Sequence, residues 1–280
     1  MLGAICGDVI GSRHEHAPTK TTEFDLLSPQ CRWTDDTVTT VAVAEALLEG
    51  GDIGAALAAW ARRHPGAGYG AQSLVWAARG GRQPYGSWGN GAAMRVSPAG
   101  WLAADLADAA VLGARTAAPS HNHHHGLRGV KAVAVAVRMG LEGWRADEIR
   151  DVISDRFGYD LSRAPDVIRP GYGFDISCQG SVPEALACAL TASSFEEAVR
   201  LAVSLGGDAD TQAAIAGAVA EPLFGGVPEA IAGPVLARLT PAMRDVHERF
   251  RARVADRRWR RSDPAAIPRD HPPPVDQSDE

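Results

Sequence analysis

The sequence predicts an all-α protein, and two features of the chain carry that prediction. Alanine-rich apolar segments recur along the 280 residues and are separated by short Gly and Pro breaks, which is the pattern of helices joined by tight connections. The chain has no long run in which Val, Ile or Thr alternates with polar residues, as a half-buried strand would require. Because 45% of the residues are hydrophobic, such helices can bury a large core.

The amino-acid composition limits which binding partners and which cellular compartment we expect for the protein. A formal net charge of −6 creates no overall attraction to nucleic acid or to a membrane surface. No segment approaches the about 18 uninterrupted apolar residues of a membrane span, and the first residues lack the basic start of a signal peptide. We expect a soluble, cytoplasmic protein, and the near-neutral surface favours a monomer. Neither disulfides nor a zinc site is expected from four cysteines without CxxC spacing, Cys6, Cys31, Cys178 and Cys188.

The first predicted helix carries a face without side chains. Gly3, Gly7 and Gly11 fall at i, i+4 and i+8, so a neighbouring helix or a ligand can approach this face closely, and core packing is the expectation. Glu15 follows just past the end of the helix. Residues 16–31 form a Pro-containing loop that leads to the next helix.

Two acidic segments each lead into an apolar helix. Thr34-Asp35-Asp36-Thr37 precedes the run Val38–Leu48, and Gly206-Gly207-Asp208-Ala209-Asp210-Thr211 precedes the small apolar residues 212–220. One such segment alone is explained by helix capping, because a helix N-terminus stabilises negative charge. Two of them can face each other, and their four carboxylates then repel unless cations lie between them. Oxygen ligands without His or Cys suit Mg²⁺ or Mn²⁺, and four carboxylates are enough for two ions about 4 Å apart.

The remaining helices are predicted from capping residues and from the Gly and Pro residues that end a helix. Gly50-Gly51 ends the helix that starts at the first acidic segment, and Asp52 caps the next. The last helix becomes arginine-rich, which is typical of a solvated face, and the Pro- and Asp-rich tail 262–280 is expected to be disordered, so the all-α domain is placed at residues 1–261. The helices predicted after the first acidic one are 52–63, 105–117, 126–140, 146–157, 183–192, 195–204, 212–220, 228–238 and 241–260.

Two glycine-rich stretches, residues 64–71 and 85–91, do not form regular elements. Each is either a simple connector or a backbone that approaches an anion closely and offers N–H groups to it. The second opens into a helix start, an arrangement that binds phosphate, although its spacing is neither GxGxxG nor Walker A. Arg95, which follows, is expected to have a structural role. The histidine run at 121–125 has no HExxH spacing or cysteine partner, which favours a solvated loop with one functional member over a zinc site.

Together these segments make the chain resemble the ADP-ribosylglycohydrolase family, which includes dinitrogenase reductase-activating glycohydrolase and the eukaryotic ADP-ribosyl hydrolases. The resemblance covers about residues 1–240 and rests on four segments in the family's order and separations, namely Gly3–Gly11, Trp33–Thr37, Gly89–Arg95 and Ser204–Thr211. It implies an orthogonal multi-helix domain, a binuclear Mg²⁺ centre, and hydrolysis of the bond between C1″ of ADP-ribose and a modified acceptor.

The resemblance also implies roles for individual residues. Glu15 matches a glutamate that contacts a metal in serine-type relatives and moves aside or takes part when substrate binds. His121 matches a histidine near the adenosine, and Ile176 an apolar contact to the adenine. The implied metal ligands are Thr34, Asp35, Asp36, Asp208, Asp210 and Thr211. The loop on the diphosphate would be Gly68, Tyr69 and Gly70, and the loop that holds phosphate and ribose would be Gly86, Ser87, Trp88, Gly89 and Asn90.

The sequence departs from serine-type relatives at two loop positions. Gln72 stands where these relatives have a glycine, and Trp88 where they have a tyrosine. The arginine-specific relatives differ more in these loops, so the sequence slightly disfavours specificity for ADP-ribosylated arginine. The acceptor stays open, because an ADP-ribosylated protein, nucleic acid or small molecule presents the same ADP-ribose half.

The expected chemistry breaks the glycosidic bond through an oxocarbenium-like state, with two cations that hold the ribose hydroxyls and lower the pKa of a water molecule. Asp35, Asp36, Asp208 and Asp210 would position the metals as the catalytic carboxylates, and Glu15 would steer the water or help to protonate the leaving group. Three alternatives remain. A dinuclear-metal phosphohydrolase would release phosphate, an ADP-ribose-binding module would bind without turnover, and a purely structural helical protein would bind Mg²⁺ weakly.

Overall fold

A computed structural model describes residues 1–270. This part of the chain forms fourteen α-helices and two short 3₁₀ helices, and its β structure is limited to one isolated bridge between Gly89 and Ser177. The predicted all-α fold is therefore confirmed. The α-helices are α1 (Leu2–Gly11), α2 (Asp35–Glu49), α3 (Ile53–Arg63), α4 (Ala71–Ala78), α5 (Ser97–Leu102), α6 (Leu106–Ala117), α7 (His124–Leu141), α8 (Ala146–Phe157), α9 (Pro165–Ile168), α10 (Cys178–Thr191), α11 (Phe195–Ser204), α12 (Ala209–Leu223), α13 (Glu229–Arg238) and α14 (Pro241–Val254), and the 3₁₀ helices are Asn90–Ala92 and Pro264–Ala266.

Helices α1 and α12 pack against each other at the centre of the molecule, and most residues of both are buried. A Cβ atom added to Gly7 would lie 1.9 Å from the carbonyl oxygen of Ala213, and one added to Gly3 would lie 2.2 Å from that of Gly217. The two backbones are therefore in direct contact, which confirms that the glycine face serves core packing. Because the helices run in opposite directions, the end of α1 lies beside the start of α12, where the second acidic segment is.

The capping signals read from the sequence form local hydrogen bonds in the structure. The Thr34 hydroxyl accepts from the N–H of Asp36 at 3.3 Å and starts α2. Asp52 accepts from the N–H of Ala55 at 2.8 Å and starts α3. These contacts involve residues no more than three positions apart, which explains why the sequence alone predicts them.

Several predicted boundaries are wrong. Helix α10 begins at Cys178 and not at residue 183, because Ser177 caps it by accepting from the N–H of Gly180 at 3.0 Å and Pro183 lies inside the helix. Helix α14 ends at Val254 and not at residue 260. Helices α4 and α9 lie in segments where no helix was predicted, and the helix start expected after residue 91 is the 3₁₀ helix Asn90–Ala92, with α5 beginning only at Ser97.

The segment after α14 also differs from expectation. Arg257 is not part of a solvated face, since it donates to the carbonyl oxygens of Trp101 at 2.9 Å and of Ala103 at 3.1 Å. Residues 262–270 are not disordered but packed on the helices, with Ile267 only 1% exposed and Asp270 paired to Lys131 at 2.7 Å. Residues 271–280, the rest of the expected tail, lie outside the described residues.

The four cysteines are buried and unpaired, in agreement with the expectation that they form no disulfides. Among the fourteen α-helices of residues 1–270, none combines the length and the hydrophobicity that a bilayer crossing needs.

Candidate active site

The two acidic segments meet in the folded molecule. The N-terminal ends of α2 and α12 lie side by side, and the Thr211 hydroxyl reaches Asp36 Oδ2 at 3.4 Å although the two residues are 175 positions apart. Both residues line a cavity of about 450 Å³. The prediction that the acidic segments face each other is therefore confirmed.

Five carboxylates form two adjoining groups at this cavity. Oxygen atoms of Asp8, Asp36 and Asp210 all lie within 4.8 Å of one another, and so do those of Glu15, Asp208 and Asp210. Asp210 belongs to both groups, so the two clusters share one side chain. Every member except Glu15 is buried, and Glu15 is partly exposed. A sixth carboxylate, that of Asp35, also lines the cavity.

Asp8, which was not among the predicted site residues, holds the first acidic segment in place. Its carboxylate is fully buried and accepts hydrogen bonds from the backbone N–H groups of Thr34 and Thr37, each at 3.0 Å. It also accepts from the Thr34 hydroxyl at 2.7 Å and from the Thr37 hydroxyl. The signal that could have revealed it is a single charged residue on the otherwise apolar helix α1, because an unpaired buried charge is rarely tolerated.

Burial and mutual repulsion disfavour the ionised carboxylates. Burial, followed by the neighbouring Asp210, raises the pKa of Asp8 to about 7 and that of Asp35 to about 8. The same two causes, in the same order, raise the pKa of Asp36 and of Asp208 well above the usual range of an aspartate. The negative charges of this cluster therefore need a proton or a cation to compensate them.

One oxygen atom of the cluster indicates what kind of group could compensate the negative charges. Asp36 Oδ1 is buried and has no hydrogen-bond partner among the described residues, although its Oδ2 accepts from hydroxyl groups. A buried carboxylate oxygen without a donor is costly in a folded protein. The surrounding groups that could coordinate a metal ion are carboxylate and hydroxyl oxygens. The residues present therefore fit a hard divalent cation.

The N-terminal end of α4 forms another part of the cavity wall. Gly70, Ala71, Gln72 and Ser73 all line the cavity, and Gly70 has no side chain with which to cap the helix. The N–H groups of the first turn are thus available to a ligand, and a helix N-terminus favours negative charge. The carboxylate groups and this N–H-rich end are two contrasting parts of one cavity.

The 3₁₀ helix at Asn90–Ala92 connects the second glycine-rich stretch to the acidic cluster. The Asn90 side-chain amide donates to Asp208 Oδ2 at 2.7 Å, and its backbone N–H donates to the Ile176 carbonyl at 2.8 Å. Arg95 follows and lines the cavity, but it forms no ion pair within residues 1–270. Arg95 Nη2 instead donates to Ser120 Oγ at 2.8 Å.

The family model described as ADP-ribosylglycohydrolase matches residues 1–263. The chain belongs to this family. A solved structure titled "ADP-ribosylglycohydrolase-related protein complex" is similar to this chain with a TM-score of 0.68 and 25% sequence identity, over 90% of this chain and 97% of that chain. The comparison with curated proteins found no match. The resemblance predicted from the motifs is confirmed, and the family is one of hydrolases that act on glycosyl bonds.

Most residues expected to form the family's site surround the cavity. The lining residues that were predicted are Glu15, Asp35, Asp36, Gly68, Gly70, Ser87, Gly89, Asn90, His121, Ile176, Asp208, Asp210 and Thr211. Four predicted residues do not line it. Tyr69 is buried, Trp88 is 48% exposed, Gly86 has a positive φ of 67°, and the Thr34 hydroxyl donates to Asp8.

The cavity also has lining residues without a predicted role in the site. Thr39 lies one helical turn after Asp35, so the shared face of α2 could have indicated it. Most of the others adjoin the glycine-rich stretches, and sequence proximity to those stretches could have indicated them. The additional lining residues are Ala71, Gln72, Ser73, Tyr85, Gly91, Met94, Arg95 and Phe174.

Proposed function

We propose that the chain is a Mg²⁺-dependent glycohydrolase that cleaves the bond between C1″ of ADP-ribose and a modified acceptor. The observation that carries this proposal is the convergence of two acidic helix starts on a cavity that also contains an uncapped helix N-terminus. Carboxylates suit divalent cations, and free N–H groups suit a diphosphate. A volume of about 450 Å³ lies within the range of pockets that bind small molecules.

The proposed ligands are the oxygen groups that face the cavity, namely Asp35, Asp36, Asp208, Asp210 and Thr211. Asp8 lies beneath them, and both of its oxygens already accept hydrogen bonds, so it holds the backbone of the first acidic segment instead of facing the cavity. Thr34 shares that role through its hydroxyl. Two Mg²⁺ ions, or Mn²⁺ ions, would when bound neutralise the carboxylates, orient the ribose hydroxyls and lower the pKa of a nucleophilic water.

The side chains of the protein perform the remaining tasks. Glu15 groups with Asp208 and Asp210 yet keeps a side chain that is 22% exposed, so it can orient the attacking water or protonate the leaving group. Asn90 fixes one oxygen of Asp208, which orients that carboxylate. Gly68 and Gly70 would let the backbone approach the diphosphate without an interposed side chain, and the first turn of α4 would offer N–H groups to it.

A panel of substrates that differ only in the group linked to C1″ tests this proposal. We expect wild-type protein to release ADP-ribose from at least one acceptor, and only when Mg²⁺ is present, as measured by chromatography and mass spectrometry. Asp208→Asn should abolish release and keep a helical circular dichroism spectrum. The control Asp147→Asn removes an exposed carboxylate on α8 and should act like wild type.

Each other outcome has a definite meaning. Release of free phosphate would assign the same carboxylates to a dinuclear phosphohydrolase. Binding of ADP-ribose without release from any acceptor would indicate a binding module. Full activity of Asp208→Asn would remove the proposed metal role of that residue.

A further inference from the structure

A buried row of three polar groups adjoins the cavity. Arg95 Nη2 donates to Ser120 Oγ at 2.8 Å, and Ser120 Oγ lies 2.7 Å from Nδ1 of His121. The three residues are 4%, 1% and 5% exposed, and Arg95 and His121 both line the cavity. A guanidinium buried without a carboxylate partner is unfavourable, so its retention needs an explanation beyond packing.

The chemistry of the donors sets the direction of this row. An arginine side chain has donors and no acceptor, so Ser120 Oγ accepts from Arg95. The Ser120 hydroxyl has a single hydrogen, and within residues 1–270 its other hydrogen-bond partner is His121 Nδ1. Oγ has two lone pairs, but if Nδ1–H donated to it the hydroxyl hydrogen would have no acceptor among the described residues. Donation of the hydroxyl hydrogen to Nδ1 pairs both groups, and this is the direction that we infer. A neutral imidazole whose Nδ1 accepts a hydrogen bond carries its own hydrogen on Nε2.

The surroundings of the ring keep it neutral. Burial, and then the positive charge of Arg95, lowers the pKa of His121 well below its usual value. The protonated ring, with a hydrogen on both nitrogens, would also place an N–H against a hydroxyl whose hydrogen had lost its acceptor.

The free edge of the ring faces two glycines of the cavity wall. A Cβ atom added to Gly91 would lie 3.4 Å from His121 Nε2, and one added to Gly89 would lie 4.0 Å from it. Both glycines line the cavity. The absence of side chains at these positions leaves room for a ligand atom to approach Nε2.

We propose that Arg95 and Ser120 are positioning residues that hold His121 as the Nε2–H tautomer, so that it donates a hydrogen bond to an oxygen of bound ADP-ribose. In the other tautomer Nε2 carries no hydrogen, so it cannot donate this bond. The identity of the ligand rests on the proposed function, whereas the tautomer follows from the protein alone.

Three serine variants separate this role from packing. Ser120→Ala removes the donor to Nδ1, and Ser120→Thr retains a hydroxyl. Ser97→Ala is the matched control, because Ser97 is also fully buried but its hydroxyl has no partner among the described residues. We expect Ser120→Ala to raise the Kd for ADP-ribose and the KM by about tenfold, the value of one lost hydrogen bond, with kcat within about twofold. Ser120→Thr should recover most of the affinity, and Ser97→Ala should not change it.

A ¹⁵N spectrum of wild-type protein without ligand tests the tautomer directly. The His121 signals, assigned by their loss in His121→Gln, should show Nδ1 as an unprotonated nitrogen and Nε2 as a protonated one. In Ser120→Ala the two tautomers should exchange or reverse. This readout distinguishes positioning from a loss of packing, which would leave the tautomer unchanged.

Two results would overturn the inference. One is a wild-type spectrum in which His121 carries its hydrogen on Nδ1, and this result needs no Ser120 variant to fold. The other is a Ser120→Ala protein that binds ADP-ribose as tightly as Ser97→Ala. If wild-type protein binds no ADP-ribose by calorimetry, the proposed function fails, and the spectrum still decides whether Arg95 and Ser120 set the tautomer.

Discussion

Gly7→Ala is the substitution for which the structure reverses the ordinary expectation. In a helix interior, alanine is favoured over glycine by about 1 kcal/mol, so the local sequence predicts a gain in stability. The structure predicts a loss, because the new Cβ would lie 1.9 Å from the carbonyl oxygen of Ala213, where ordinary contacts are 3.4–4 Å. The obstructing atoms belong to backbone, so no side chain can rotate away.

The size of the effect follows from the displacement that the clash demands. Helices α1 and α12 would have to separate, and overpacking of this kind costs about 3 kcal/mol even after the propensity gain is subtracted. For a chain of 280 residues the melting temperature should fall by about 5 °C. Asp8 adjoins Gly7 and Asp210 lies in the first turn of α12, so the stabilisation by added Mg²⁺ should weaken as well.

Thermal unfolding followed by circular dichroism, with and without Mg²⁺, measures both effects. Gly66→Ala is the control, because its Cβ would meet no atom within 4 Å and its φ is not positive. A Gly7→Ala protein that melts within about 1 °C of the Gly66→Ala protein would refute the direct backbone contact between α1 and α12.

Three further predictions concern other parts of the molecule. Asp36→Asn should abolish the rise in melting temperature that Mg²⁺ causes. In the wild-type protein, Mg²⁺ at a hundred times its Kd should add about 2.7 kcal/mol to the free energy of unfolding. An unchanged rise in the variant would show that Asp36 holds no cation. Lys20→Met should lower the free energy of unfolding, measured by urea titration, by about 1–2 kcal/mol. The reason is that Lys20 Nζ donates to the carbonyl oxygens of Arg169 at 2.9 Å and of Tyr172 at 2.6 Å. Lys20→Arg, which retains a donor, should lower it by less. Burial, followed by the amino group of Met1, lowers the pKa of His247 to about 4. As the pH falls below 6.5, His247 binds a proton in the unfolded chain but stays neutral in the folded chain. The free energy of unfolding should therefore fall by about 3 kcal/mol as the pH drops from 6.5 to 4. His247→Gln should lack that part of the decrease, and an identical pH profile would contradict the assignment.

Features set by near neighbours in the chain were predictable. Helix α8 was predicted at its observed bounds of Ala146–Phe157, and α11 at Phe195–Ser204, because apolar period and capping residues act over three or four positions. The start of α10 was missed for the same reason, since a proline at residue 183 resembles a first helical position and the Ser177 cap was overlooked. Arg257 was misread because its partners, two carbonyls near residue 102, are remote in sequence.

The sequence alone determined the helical class, the family and the two acidic helix starts, because these depend on residue type, short-range spacing and motif order. Only the tertiary structure decided that Asp8 lies beneath the carboxylates, that α4 points its uncapped end into the cavity, and that Ser120 connects Arg95 to His121. Apart from the bond between Ser120 and its neighbour, these contacts join groups far apart in the chain. The local patterns that predict helices act over three or four positions, so they do not encode contacts of this kind.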